Sequence, residues 1–225
     1  MEQDCPENSG ALRNNHKTVT DLPDDFDLKR RVAREAATLL YFGAEKEYKQ
    51  AKEKAAETFG VHFLPSNLEV ALELDKVAEE NEGAKRMDRL IQMRREALEV
   101  MCLLSRFCPV LIGSVWRGTI KQGSDIDIAV YADEPEDIVN VLKADGMKIL
   151  KTAWTTVNKR GATLESFHIY AETLTKHGLE IVARSREEAG KKRKCETFGD
   201  ELKGLSVKEL EKVLEKNPTQ RFIPA

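Results

Sequence analysis

Asp125 and Asp127 stand two residues apart in the run Ser124-Asp-Ile-Asp-Ile-Ala-Val130. A strand there sends both carboxylates to one face and Ile126, Ile128 and Val130 to the other, so one face is core and the other is free for chemistry. Aspartate is disfavoured in strands, and like charges on one face repel, so a positive group is expected between the two acids. Mg²⁺ fits, because it takes oxygens from one or two carboxylates and completes its shell with water and substrate phosphates. Upstream, Gly113-Ser114 closes an apolar strand that begins at Val110. A glycine-serine turn lets backbone N–H groups approach an anion, and a helix starting there adds its positive end. Arg117, three residues on, would share Ser114's face of such a helix. Its guanidinium can clamp a phosphate through two hydrogen bonds or pair with a nearby carboxylate.

Together, Gly113-Ser114, Arg117 with Gly118-Thr119, and Asp125-Ile126-Asp127 after a short spacer resemble the signature of the DNA polymerase beta-like nucleotidyltransferase superfamily. The Gly-Ser-x-x-Arg-Gly-Thr form is most similar to that of archaeal-type CCA-adding enzymes and minimal nucleotidyltransferases. The likeness covers about residues 108–132. It implies transfer of a nucleoside monophosphate from a nucleoside triphosphate to an acceptor hydroxyl, with release of pyrophosphate. Asp125 and Asp127 would hold two Mg²⁺ or Mn²⁺ ions, and Gly113, Ser114 and Arg117 would hold the phosphates. Lys121 either reaches the triphosphate or stays exposed, and Ser124 is either a phosphate contact or a turn residue. Trp116 either stacks on a base or packs.

The resemblance also implies a third carboxylate on a neighbouring strand. Gly178-Leu-Glu-Ile-Val-Ala183 is a short apolar run interrupted by one acid, the pattern of a buried strand presenting a single carboxylate. Glu180 is therefore the candidate, as metal ligand or general base, although relatives often carry aspartate there. The acceptor stays open among RNA, a protein and a small molecule. CCA-adding enzymes suggest RNA, but nothing after Ala225 corresponds to their large C-terminal tRNA-gripping domains. Relatives in toxin–antitoxin pairs suggest a second reading. In it the domain is a non-catalytic regulatory unit that binds a protein partner, or another copy of itself, through its helices.

The elements that must position these residues follow from pattern. Residues 1–21 are polar and aperiodic and are expected to be a disordered arm. Residues 22–106 read as an all-helical segment, a bundle of its own or packed partly on the sheet. Apolar residues recur at helical spacing to Phe59, as one helix or a broken pair, and Gly60 stops it. Ser66-Asn-Leu-Glu69 is a capping box, and Asn81-Glu-Gly83 weakens the next helix before an apolar stripe resumes towards Phe107. Residues 107–205 are the expected nucleotidyltransferase domain. It has the two motif strands, a helix from Glu134-Pro135, β-rich runs at 147–157 and 162–171 joined by Asn158-Lys-Arg-Gly161, and the Glu180 strand. His168 and Tyr170 alternate with Phe167 and Ile169 and so lie on the face opposite that core pair. Ser206-Val-Lys-Glu209 opens a final helix in 206–225. The fold class is α/β (α+β), a small mixed twisted sheet flanked by helices and preceded by the helical segment.

Composition adds exclusions. In 225 residues, 41% are hydrophobic, 33% charged and 6% aromatic, the balance of a highly charged, helix-rich chain with no apolar run long enough to span a membrane. Met1-Glu-Gln-Asp-Cys5 lacks a secretory layout, so a cytoplasmic location is expected. Cys5, Cys102, Cys108 and Cys195 form no Cys-x-x-Cys pair, and the four histidines show no zinc spacing. A net charge of −3 argues against a surface coated for nucleic acid. Lys191-Lys-Arg-Lys194 is either a local phosphate patch or a solvated face.

Overall fold

A computed structural model describes residues 25–159 and 162–224. The expected arm at 1–21 lies outside the described residues, as do Arg160 and Gly161 of the expected hairpin turn. Among the described residues there are seven α-helices and one six-stranded sheet.

The first helical run is a broken pair, α1 (Asp25–Tyr41) and α2 (Tyr48–Phe59). Gly43 at φ +73° turns the chain between them, and Gly60 closes α2 in the left-handed conformation. Helix α3 (Asn67–Glu82) opens on the capping box. The Ser66 N–H donates to Glu69 Oε2 at 2.7 Å, and the Glu69 N–H donates to Ser66 Oγ at 3.2 Å. Helix α4 (Ala84–Leu103) follows after Gly83 and ends four residues short of Phe107. Pro109 disfavours a helical Cys108, and a 3₁₀ turn over Ser105–Phe107 takes up the difference.

Strand β1 (Val110–Ile112) leads into the single-turn helix α5 (Gly113–Arg117) and then β2 (Ile126–Tyr131). Helix α6 (Pro135–Ala144), the long hairpin β3 (Lys148–Lys159) and β4 (Ala162–Glu172), and β5 (Gly178–Arg184) come next. The short β6 (Leu205–Ser206) precedes α7 (Val207–Lys216), which carries the second capping box. The charged stretch after β5 is loop with one 3₁₀ turn over Arg186–Glu188.

The sheet order is β3-β4-β5-β2-β1-β6, and it is mixed, as expected: β2 and β5 run parallel and the other neighbours antiparallel. Alternation sorts its faces. Ile126, Ile128 and Val130 of β2 and Leu179, Ile181 and Ala183 of β5 are buried against Leu90, Met93, Ala97 and Met101 of α4. Each fully buried Leu, Ile or Met contributes roughly 1.5–3 kcal/mol, so α4 is tied firmly to the sheet. A separate, alanine-rich core joins α1, α2 and α3 around Val32, Ala36, Ala51, Ala55 and Val70. Small side chains there let the helices pack closely. The outer face of β2 and β5 is left for the site.

Candidate active site

In the parallel pairing, Asp127 on β2 lies directly beside Glu180 on β5. Asp125 sits one residue ahead of β2 rather than inside it, level with the start of β5. Each aspartate is seated on a glycine. A β-carbon on Gly113 would fall 2.8 Å from Asp127 Cγ, and one on Gly178 would fall 2.8 Å from Asp125 Cγ. The carboxylates thus occupy the space that a side chain at either position would need. Gly113 is also held at φ +70°, which L side chains rarely adopt. Gly178 was not singled out from the sequence. Its signal is a glycine opening a strand, which marks a close approach.

Neither the Asp125 nor the Asp127 carboxylate has a hydrogen bond or ion pair among the described residues. Burial, then Glu180, then Asp125 push the Asp127 carboxyl up to about 7. Burial and Glu180 also raise Asp125, with Lys121 opposing them. An exposed Asp125 beside a half-buried Asp127, neither with a donor among the described residues, suits a cation. No group of three His, Cys, Asp or Glu among the described residues closes on one point, so an ion here would draw on water and phosphate oxygens as well.

Glu180 has partners of its own. His168 Nδ1–H donates to its Oε1 at 2.6 Å, and Ser166 Oγ lies 2.9 Å from His168 Nε2. Tyr170 is directly opposite Glu180 across β4 and β5, and its phenol is raised by burial and then by Glu180. The rings of His168 and Tyr170 stack at 6.3 Å. Lys151, Tyr170, Glu180 and Asp127 therefore form one row across four strands. The turn before β5 is pinned to α4, where buried Glu96 accepts from His177 Nδ1 at 2.8 Å and from the Thr175 hydroxyl at 2.5 Å.

Of the two readings of Arg117, the geometry matches the second. Its guanidinium makes two bonds to Asp200, at 2.7 and 3.1 Å, and one to the Phe222 carbonyl at 2.9 Å. It lies between the rings of Trp116 and Phe198, 4.4 and 4.2 Å from their centroids. Its hydrogen bonds use three of its five N–H donors and the side chain is buried, although it still borders the cleft shared by Gly113, Ser114 and Asp125. Trp116 packs, stacked on Phe222. Ser124 closes a turn by accepting from the Lys121 N–H at 2.9 Å, and Lys121 Nζ donates to the Gln122 carbonyl at 3.5 Å.

Two arginines missed in the apolar stripe of α4 hold the motif. Arg94 is fully buried and donates to the Val115 and Trp116 carbonyls of α5 at 3.1 and 2.8 Å, and to the Pro218 and Gln220 carbonyls. Burial lowers its pKa to about 10. Arg86 donates to the Ile120 carbonyl at 2.7 Å and pairs with Asp75 and Glu79. Their signal is a charge recurring at helical spacing among core positions, and such charges are seldom buried without partners.

Gly113, Ser114, Lys121, Ser124 and Asp125 share a cleft of about 840 Å³ whose far wall comes from α1, α2 and α3.

With that geometry in hand, the chain can be placed. The profile of the nucleotidyltransferase domain family matches residues 95–216, more than half of the chain. The protein belongs to that family. No curated protein matches the chain. Among solved structures, it is similar to a cytoplasmic RNA terminal U-transferase at 19% identity and a TM-score of 0.32, covering 54% of this chain and 35% of that one. It is similar to the Cid1 poly(U) polymerase bound to MgGTP at 18% identity and a TM-score of 0.30, covering 44% and 34%. It is also similar to the non-canonical poly(A) polymerase complex GLD-2–GLD-3 at 11% identity and a TM-score of 0.30, covering 51% and 40%. The chain spans about a third of the length of the first of these. Among the described residues no helix is long and apolar enough to cross a membrane.

Proposed function

We propose that this protein transfers a nucleoside monophosphate from a nucleoside triphosphate to an acceptor hydroxyl, releasing pyrophosphate. The observation that carries the reading is the pair Asp125 and Asp127, unpartnered, each seated on a glycine and flanked in register by Glu180. Asp125 and Asp127 would hold Mg²⁺ or Mn²⁺, two ions in the full reading. Such ions, when bound, lower the pKa of an attacking hydroxyl and offset the charge of the triphosphate. Gly113 and Ser114 line the phosphate side of the cleft, with Lys121 and Ser124 at its rim. Glu180, oriented by His168, either joins the metal or takes the acceptor's proton. The acceptor enters over the open polar row of Glu180, His168 and Tyr170, opposite the cleft. RNA, protein and small-molecule hydroxyls all fit that chemistry. The helices and sheet together act as one cytoplasmic enzyme in this reading.

The test is incubation with each α-labelled ribonucleoside triphosphate, Mg²⁺ or Mn²⁺, and in turn tRNA, total RNA and cell extract. Label should enter one acceptor class with stoichiometric pyrophosphate, and the Asp125→Asn/Asp127→Asn protein should transfer none. Stoichiometric capture of a protein partner without any turnover would instead favour the regulatory reading.

A further inference from the structure

The link between α5 and β2 brings Lys121, Ser124 and Asp125 to the cleft, yet it has little structure of its own. Lys121 to Ser124 form one turn, closed by the Ser124 N–H on the Lys121 carbonyl at 3.0 Å. Its third residue is Gly123 at φ +76°, as a type II turn requires. From Ile120 to Ser124, two hydrogen bonds reach the rest of the chain among the described residues. Arg86 Nε donates to the Ile120 carbonyl at 2.7 Å, and the Gln122 N–H donates to Glu82 Oε1 at 2.7 Å. The two holders stand on either side of Gly83, the joint between α3 and α4. Glu82 is itself fixed. Its side chain is 7% exposed, Arg89 bonds its other oxygen, and the Tyr41 phenol, raised by burial and then by Glu82, also hydrogen-bonds it.

We propose that Glu82 is a positioning residue for the transfer: by holding the Gln122 N–H it fixes the link, and through the link it sets Lys121, Ser124 and Asp125 over the cleft. The inference rests on the transferase reading and deepens it. Ile120 is buried in the main core and Asp125 adjoins β2, so the ends of the link are anchored and its middle depends on this one bond. A carboxylate accepting from a backbone N–H makes a short, charge-assisted bond that holds the donor closely. Gln122 is exposed, so without Glu82 its N–H turns to water at little cost to folding. The turn is then free to shift, and a displacement of about 1 Å at a binding group is enough to weaken a site. Helix α3 lies outside the matched residues 95–216, and this bond gives it a direct hold on the site.

Glu82→Ala removes the acceptor and Gln122→Pro removes the donor. Proline suits the second position of a type II turn, so Gln122→Pro keeps the turn while losing the bond. Calorimetry on the full chain titrates a non-hydrolysable triphosphate in Mg²⁺, beside thermal unfolding of each protein. Both variants should bind about 10-fold more weakly, Gln122→Pro at nearly the wild-type Tm. The double variant should bind no more weakly than either single one, because both break the same bond. Glu82→Gln keeps an oxygen that accepts from Gln122 and should stay within about 3-fold of wild type. Arg89→Met breaks only the ion pair and should bind normally. Normal binding by Gln122→Pro, a double variant weakened about 100-fold, or an Arg89→Met protein as weak as Glu82→Ala overturns the role of Glu82, and the transferase reading stands as long as wild type binds. A wild type that binds no triphosphate overturns both.

Discussion

If Asp127 is kept near its neighbours only by a cation, its charge should weigh on the metal-free fold, and the pH dependence of stability should show it. The carboxyl is raised from 3.8 to about 7, so the folded state holds this proton more tightly than the unfolded chain does. Stability from this group is therefore greatest at low pH and falls as pH rises from its unfolded value through about 7. At about 1.4 kcal/mol per unit, the loss between roughly pH 5 and pH 8 is about 3 kcal/mol. For a chain of this size that is about 5–10 °C in Tm. The carboxyls held below their ordinary range, Glu69, Glu73, Glu96, Glu188 and Glu209, act in the opposite sense, but their stabilisation is complete above the unfolded value of 4.5 and lost only as pH falls below it. Their losses fall below the window in which Asp127 acts. The assay is thermal unfolding in chelator from about pH 5 to 8, for wild type and for Asp125→Asn/Asp127→Asn. Wild type should lose stability across the window and the variant should stay flat, more stable than wild type at the upper end. Mg²⁺ with a non-hydrolysable triphosphate should restore wild type there, because binding favours the folded state, and should not move the variant. A flat wild-type curve in chelator, or a variant that keeps the fall, would refute the claim that these two charges are held against repulsion.

Other consequences are more direct. Gly178→Ala has no positive φ to strain, so it should fold with less than about 1 kcal/mol lost and still displace Asp125, cutting the transfer rate at least ~10-fold. A folded variant with normal rate dissolves that seat. Gly113→Ala adds the cost of a left-handed backbone, about 1–2 kcal/mol, and should weaken metal-triphosphate binding in calorimetry. Glu180→Gln should leave triphosphate affinity nearly intact while lowering the single-turnover rate by ~10², and an unchanged rate removes Glu180 from the chemistry. Arg94→Met should cost about 3–5 kcal/mol in urea unfolding, because four carbonyls lose their donor, and a loss under 1 kcal/mol would contradict the role drawn from its bonds.

Much of this was legible because the signals are local. The capping boxes at Ser66 and Ser206, the break at Gly83, the stop at Gly60 and the alternation in 126–130 each depend on residues close in sequence, and the structure places those elements within a residue or two. The pairing of Asp127 with Glu180 is not local, yet a lone acid in an apolar run pointed to it. What stayed hidden depends on distant partners. Nothing near Arg117 shows that Asp200 will take its guanidinium, 83 residues on. Nothing near Gly178 shows that the aspartate of another strand will need its empty side. His168 reads as an outward strand residue, and only the register of β4 on β5 brings it to Glu180.

The buried arginines explain why so short a motif can be placed so firmly. A five-residue helix such as α5 has almost no internal hydrogen bonds, and its last carbonyls would be orphaned inside the core. Arg94 answers two of them from α4 and ties the same guanidinium to the Pro218 and Gln220 carbonyls, while Phe222 exchanges backbone bonding with Arg117 through its N–H at 3.0 Å. Arg86 does the same for Ile120 on the far side of the link. One helix and one C-terminal segment thus grip both ends of the chain between Gly113 and Asp125, and neither contact uses a group that faces the cleft. The glycine-serine turn can then stay small and bare towards the cleft, since its rigidity is supplied from behind by two arginines that do not line it.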